Sequence, residues 1–201
     1  PNDMGGLNGY FMGMVPGQGH VVFPKGQAKF LPKGATLVFQ IHYTANGTEA
    51  EDQTKMGLIF NEGAPAVEIH TKGIANTLFK ITAGADNHKI EASWTLPKNG
   101  RILSFDPHAH VRGKAWKYEV IYPDGKRETL LDIPRYDFNW QLLYELQEPL
   151  DLPKGSKILV TAWYDNSDKN PANPDPKKDV YFGEQTWEEM MIGYVNWHAL
   201  D

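Results

Sequence analysis

The sequence predicts an all-β chain built as an antiparallel β-sandwich, and three observations carry that prediction. Short apolar and β-branched runs recur along most of the 201 residues. Between them stand turn signals with a mechanism: Pro97-Lys98-Asn99-Gly100, Pro123-Asp124-Gly125 and Pro153-Lys154-Gly155, where Pro presets φ and Gly supplies positive φ. The 19 Gly, 14 Pro and 12% aromatic residues suit many short strands better than packed helices. Such regular strands and turns indicate a sandwich.

Residues 1–20 are rich in Gly and Met and show no period. Strand-like runs follow at Val21–Phe30 and Ala35–Tyr43, the second the strongest strand signal in the first quarter. The polar stretch from Thr44 to Asp52, with Asn46-Gly47, is a turn or linker. Further strands are expected at Lys55–Phe60, Val67–Ile74, His88–Leu96, Arg101–His110, Lys114–Tyr122, Arg127–Ile133, Gln141–Leu150 and Lys157–Tyr164. Thr186–Met191 looks briefly helical and continues as strand through Gly193-Tyr194-Val195. Residues 165–179 form a long Asp- and Asn-rich loop that lacks the acidic spacing of an EF-hand, so a solvated surface loop is favoured over calcium.

Composition narrows the function. A net charge of −5 and a pI near 5.8 leave no basic stripe for nucleic acid. No apolar run is long enough for a membrane span. The absence of Cys excludes disulfides, thiolate zinc sites and thiol catalysis. The chain opens on Pro1-Asn2-Asp3, which is neither a signal peptide nor a typical translation start, so further residues are expected upstream.

The residues that carry chemistry are His108 and His110. A His-x-His pair in a strand places both imidazoles on one face with Cβ atoms roughly 6–7 Å apart, close enough to share a metal. The Glu that a cupin would place shortly afterwards is missing, since Val111-Arg112-Gly113-Lys114 follows. Met190 or Met191 could add a thioether, and soft sulfur favours Cu(I). Adjacent strand residues face opposite sides, so only one of the two can reach the pair. His42 shares a strand face with Val38 and Gln40, which is either solvent or a site. Met4, Met12 and Met14 suit a flexible or docking segment.

LVFQIHY at 37–43, PHAHVRGK at 107–114 and WEEMMIGY at 187–194 resemble the motifs of the copper type II, ascorbate-dependent monooxygenases. The resemblance covers roughly residues 35–195 and is closest to bacterial members. It implies two stacked jelly-roll-like sandwiches, the first truncated here. Residues 1–48 would be the remnant of the first domain and 49–201 the second. It also implies that His108, His110 and Met190 are the catalytic ligands of the oxygen-binding copper. Met190 is preferred over Met191 because the family's Met follows an acidic pair, here Glu188-Glu189. His42 matches one ligand of the second, electron-transfer copper, and Tyr194 matches a substrate-pocket Tyr.

The departures set further expectations. No His-His pair exists in the sequence to complete the second copper site. One copper ion is therefore expected, and a second only with an upstream domain. Asp106 and Ile192 stand where peptide-amidating relatives bind a substrate carboxylate through Arg and Asn, so Asp106 should repel that group. Trp187, Tyr194 and Trp197 are the aromatic candidates for the pocket wall. The resemblance implies hydroxylation of a C–H bond with dioxygen and a reductant, ascorbate or an electron-donor protein. The substrate would be a small molecule or peptide, and the location periplasmic or extracellular. The alternative is a noncatalytic module that stores or passes Cu(I), or serves a larger complex.

Overall fold

A computed structural model describes residues 10–200 of the protein, and among them there are twelve strands and no helix. The first four are β1 (Gln27–Ala28), β2 (Val67–Glu68), β3 (His70–Ala75) and β4 (Lys80–Ile81). The central ones are β5 (His88–Thr95), β6 (Gly100–His108), β7 (Gly113–Ile121) and β8 (Arg127–Ile133). The last four are β9 (Tyr144–Leu152), β10 (Lys157–Tyr164), β11 (Val180–Tyr181) and β12 (Ile192–Ala199).

Two four-stranded antiparallel sheets, β5-β10-β7-β8 and β3-β12-β6-β9, make the all-β sandwich that the sequence predicts. Alternation along each strand builds one shared core. Trp116, Tyr118 and Val120 of β7 and Ile158, Val160 and Ala162 of β10 face it from one sheet. Ile102 and Phe105 of β6 and Val195 and Trp197 of β12 face it from the other. Burying such side chains stabilises each by roughly 1.5–3 kcal/mol. At Gly193 the sheets approach so closely that a Cβ would lie 2.8 Å from both the Tyr118 hydroxyl and a Val160 methyl. The β7–β8 turn uses Gly125 at φ 88°, the positive value its Pro-Asp-Gly sequence anticipates.

The opposite face of β3-β12-β6-β9 carries a polar ladder beside a small apolar cluster of Met190, Ile192 and Tyr194. Thr71 Oγ1 donates to Asn196 Oδ1 at 2.5 Å, and Asn196 Nδ2 donates to Ser104 Oγ at 2.9 Å. This cross-strand ladder leads directly to the pairs Tyr194–Asp106 and Ile192–His108. Part of that end of the face is covered by an N-terminal strap. Pro16 accepts a hydrogen bond from the Gln141 amide at 2.8 Å, and Tyr10 stacks on Tyr194.

The N-terminal strand expectations need correction. Of Val21–Phe30 only Gln27–Ala28 is a strand, pairing in parallel with β2. Ala35–Tyr43 and Lys55–Phe60 form no strand. Val38, Phe39, Ile59 and Phe60 are exposed, so these runs have the side chains of a strand without a neighbouring edge to pair with. Thr186–Met191 is a turn, not a helix. Met12 and Met14 are exposed, and Met4 lies outside the described residues.

Candidate metal centre

β6 and β12 run side by side, and their register sets the site. Ile192 pairs with His108 at the last rung of the ladder, and just beyond it the amides of Met190 and His110 both donate to Glu189 Oε2, which holds the two residues together. The alternation separates the two methionines. Met191 joins the core between the sheets, whereas Met190 clusters with Ile192 and Tyr194 on the opposite face. That is the face of His108.

The His-x-His pair is not wholly within a strand, as the sequence suggested. β6 ends at His108, because side chains take over the backbone groups that a ladder would use. The Tyr136 hydroxyl accepts from the Ala109 amide at 3.2 Å and donates to the Ala109 carbonyl at 2.8 Å. The His110 amide donates to Glu189 Oε2 at 2.8 Å. The two imidazoles nevertheless meet, with ring centroids 5.4 Å apart and planes at 79°.

The partners of the rings define their tautomers. His108 Nδ1 lies 2.8 Å from Gln141 Oε1. Gln141 Nε2 donates to the Phe138 carbonyl at 2.9 Å, which fixes the orientation of that amide. His110 Nδ1 lies 3.2 Å from the Glu188 carbonyl. Carbonyl oxygens only accept, so both Nδ1 atoms carry the proton and each Nε2 is the unprotonated nitrogen of its neutral ring. Metal-binding histidines show this pattern, the second nitrogen donating to a carbonyl or carboxylate.

Electrostatics keeps the rings neutral. Burial pushes His110 down to about 4, with the neighbouring His108 adding to the effect. Burial also lowers His108, against the pull of Gln141, and the charge of His42 lowers it further. Neutral imidazole is the form that binds a metal. Two such nitrogens and a thioether form a soft donor set suited to Cu(I).

A cavity of about 140 Å³ adjoins His108 and is lined by Tyr10, Gly13, Val15, Asp106 and Tyr194. Tyr10 forms one wall of it, stacked on Tyr194 at 4.6 Å and 19°. Burial pushes the Asp106 carboxyl up to about 7, opposed by Lys29. Burial also pulls Lys29 down to about 8, opposed by Asp106. Lys29 is held by donating to the Phe11 carbonyl at 2.6 Å and lies 5.6 Å from the Tyr10 ring centroid. The larger concavity, about 480 Å³ beside Tyr181 and Trp187, has neither imidazole in its lining.

The structure thus gathers His108, His110, Met190, Tyr194 and Asp106 at one end of one sheet face. His42 lies on the exposed strand-free segment, near enough for its charge to act on both His108 and His110. Among the described residues no group of three or more His, Cys, Asp or Glu could hold a metal. Trp197 belongs to the core, against Trp94 at 5.0 Å, and Trp187 is exposed, so only Tyr194 of the three aromatic candidates lines the cavity. In the 165–179 loop, Asn166, Asn170 and Asn173 are occupied in hydrogen bonds that brace the loop itself. Sequence reasoning missed Gln141, Tyr136 and Lys29, which no motif marks, and Tyr10, which stands in a segment without period.

The family model for the C-terminal domain of copper type II ascorbate-dependent monooxygenases matches residues 79–200. No curated protein sequence matches. Among solved structures, the infectious bursal disease virus Gt strain is 10% identical with a TM-score of 0.30, over 72% of this chain and 44% of that one. The VP2 subviral particle of the same virus is 13% identical with a TM-score of 0.32, over 67% and 41%. A family two carbohydrate esterase from Cellvibrio japonicus is 12% identical with a TM-score of 0.21, over 65% and 34%. The chain spans less than half the length of each of these.

Proposed function

The chain belongs to the copper type II ascorbate-dependent monooxygenases through their C-terminal domain, and from that premise we propose that His108, His110 and Met190 bind the copper at which a C–H bond is hydroxylated. The observation that carries the proposal is the pair of ring tautomers. Gln141 Oε1 and the Glu188 carbonyl hold both Nδ1 protons, so both Nε2 atoms are presented as donors. The Met190 thioether is the third donor, on the side of the register that faces them. Copper, when bound there, supplies the dioxygen chemistry that oxidises a C–H bond at the expense of a reductant such as ascorbate or an electron-donor protein.

The protein's own part is positioning and exclusion. Tyr10 and Tyr194 wall the cavity beside His108 and cover part of it. Asp106 sits in the same wall, two residues before His108. A substrate carboxylate placed there meets a second carboxyl, so peptides ending in a C-terminal glycine are expected to be turned away. The substrate is a small molecule or a differently ended peptide, and the working compartment is periplasmic or extracellular.

Elemental analysis after anaerobic Cu(I) loading tests the reading. One copper in the wild type, lost in His108→Ala, supports it, and oxygen- and ascorbate-dependent hydroxylation then separates enzyme from carrier. Two coppers would give His42 a ligand role with partners not yet assigned. A second reading, a noncatalytic Cu(I)-binding module, is favoured by one observation. No His-His pair stands in the sequence to complete a second, electron-transfer copper site. Tight binding of one copper without hydroxylation would support it.

A further inference from the structure

Glu189 is wholly buried, yet its carboxylate faces no substrate cavity and is not among the ligands proposed above. Its two oxygens accept from three backbone amides. Oε2 receives His110 N at 2.8 Å and Met190 N at 3.3 Å, and Oε1 receives Arg112 N at 2.7 Å. These amides lie just past the end of the β6–β12 ladder, where the aligned residues His110 and Met190 would otherwise be joined by backbone pairing. One side chain therefore replaces the missing rung, and it does so between the two residues proposed as ligands.

Burial pushes the Glu189 carboxyl up to about 8, and the three amides and Arg112 pull against it. Arg112 is 2% exposed and acts on Glu189 electrostatically. Its Nε donates to Asn166 Oδ1 at 2.8 Å, and a terminal nitrogen donates to the Trp187 carbonyl at 2.9 Å. The Trp187–Glu189 turn is thus tied at both ends to the loop after β6. From the far side, the Tyr164 hydroxyl donates to the Met190 carbonyl at 2.8 Å. The contacts to His110 N and Arg112 N, at 2.8 and 2.7 Å, are short, whereas that to Met190 N at 3.3 Å is longer, and the Tyr164 hydroxyl adds a second hold on Met190.

We infer that Glu189 is a positioning residue that fixes the Met190 thioether relative to the His110 imidazole by clamping the amides of both residues. The inference rests on the reading that these residues bind copper. Thioether–copper bonds are weak and long, so their length follows where the protein holds the sulfur. A neutral amide in place of the carboxylate would turn an N–H toward an N–H at one of the three contacts. The Met190 segment would then shift away from the imidazoles while the core stays folded.

The test compares Cu(I)-loaded wild type with Glu189→Gln by X-ray absorption, Cu(I) competition titration and thermal unfolding of the metal-free forms. The expected result is one copper in both proteins, with the copper–sulfur scattering of the wild type weakened or lost in the variant. Cu(I) affinity should fall about 10–100-fold, the usual effect of losing an outer-shell partner. A variant with lowered melting temperature but wild-type copper–sulfur scattering and affinity would overturn the inference, leaving Glu189 a staple of the fold. Wild type without copper–sulfur scattering would instead overturn the copper reading itself. Should Glu189→Gln fail to fold, hydrogen exchange on the metal-free wild type decides. The amides of His110, Arg112 and Met190 should exchange as slowly as those of β6 and β12, and rapid exchange at the three would refute the clamp.

Discussion

The side-chain oxygen of Gln141 stands 2.8 Å from Nδ1 of His108, and the same amide group is anchored through Nε2 to the carbonyl of Phe138. The imidazole is therefore oriented by a residue that the fold has already immobilised, in a position where Gln141 is only 2% exposed. Gln141→Leu removes the acceptor while keeping the volume. The ring then loses its preferred tautomer, and Cu(I) affinity is expected to fall about 10–100-fold. Competition titration against a Cu(I) chelator measures it; unchanged affinity would mean that packing alone orients His108.

Asp106 gives the metal-free protein a distinctive response to pH. Its carboxyl is raised by burial to about 7 in the fold, against an ordinary 3.8. The native state therefore holds a proton that the unfolded chain has released between those values, and stability falls as pH rises through that window. The contribution is on the order of 4 kcal/mol at most, at 1.36 kcal/mol per pH unit of difference. Lys29 offsets part of it. Asp106→Asn should remove this decline, so its melting temperature gains on the wild type from pH 4 to pH 8. Parallel curves across that range would show that Asp106 ionises in the fold as readily as in water.

His110 acts in the opposite direction. Its ring is held down at about 4 from an ordinary 6.5, so the unfolded state takes up the proton first as pH falls. The associated stability is fully present above about 6.5 and is lost on descending toward 4. Nuclear magnetic resonance titration of the ring in the metal-free protein should find it neutral at pH 6. Proton competition with Cu(I) loading should then be slight at that pH.

Gly193→Ala tests the closeness of the two sheets. The added methyl would meet the Tyr118 hydroxyl and Val160 at 2.8 Å, with no flexible side-chain end to yield. A loss of about 1–3 kcal/mol in denaturant unfolding is expected. A smaller loss would mean that β12 can slide outward at that point.

Tyr10→Ala should open the cavity beside His108. Tyr10 forms one wall of that half-covered cavity, so modification of His108 by diethyl pyrocarbonate, followed by mass spectrometry, should become several-fold faster. No change would place the barrier elsewhere in the strap.

The strands from His88 to Ile133, and again from Lys157 to Tyr164, were legible because both local signals agreed there. Alternating apolar residues marked the faces, and Pro-Gly turns marked the ends. The two-residue strands Lys80–Ile81 and Val180–Tyr181 exist only through pairing with each other, so no local pattern announces them. Periodicity alone left Met190 and Met191 equivalent; the resemblance chose Met190, and the fold separates them by sending Met191 into the core and Met190 to the opposite face. The end of β6 at His108 depends on Tyr136 and Glu189, which lie far away in sequence. Periodicity finds strands, but it does not find the side chains that cut a strand short.

The run from Leu37 to Tyr43 has a consequence for how the chain behaves in company. Thr36-Leu37-Val38-Phe39-Gln40-Ile41 contains no charge, no Pro and no Gly, and its large apolar residues are exposed. A six-residue window of this kind is a template for intermolecular strand addition and cross-β stacking. In concentrated solution, then, self-association should start at this segment rather than in the sandwich, and a single Lys at Phe39 would act as a gatekeeper against it.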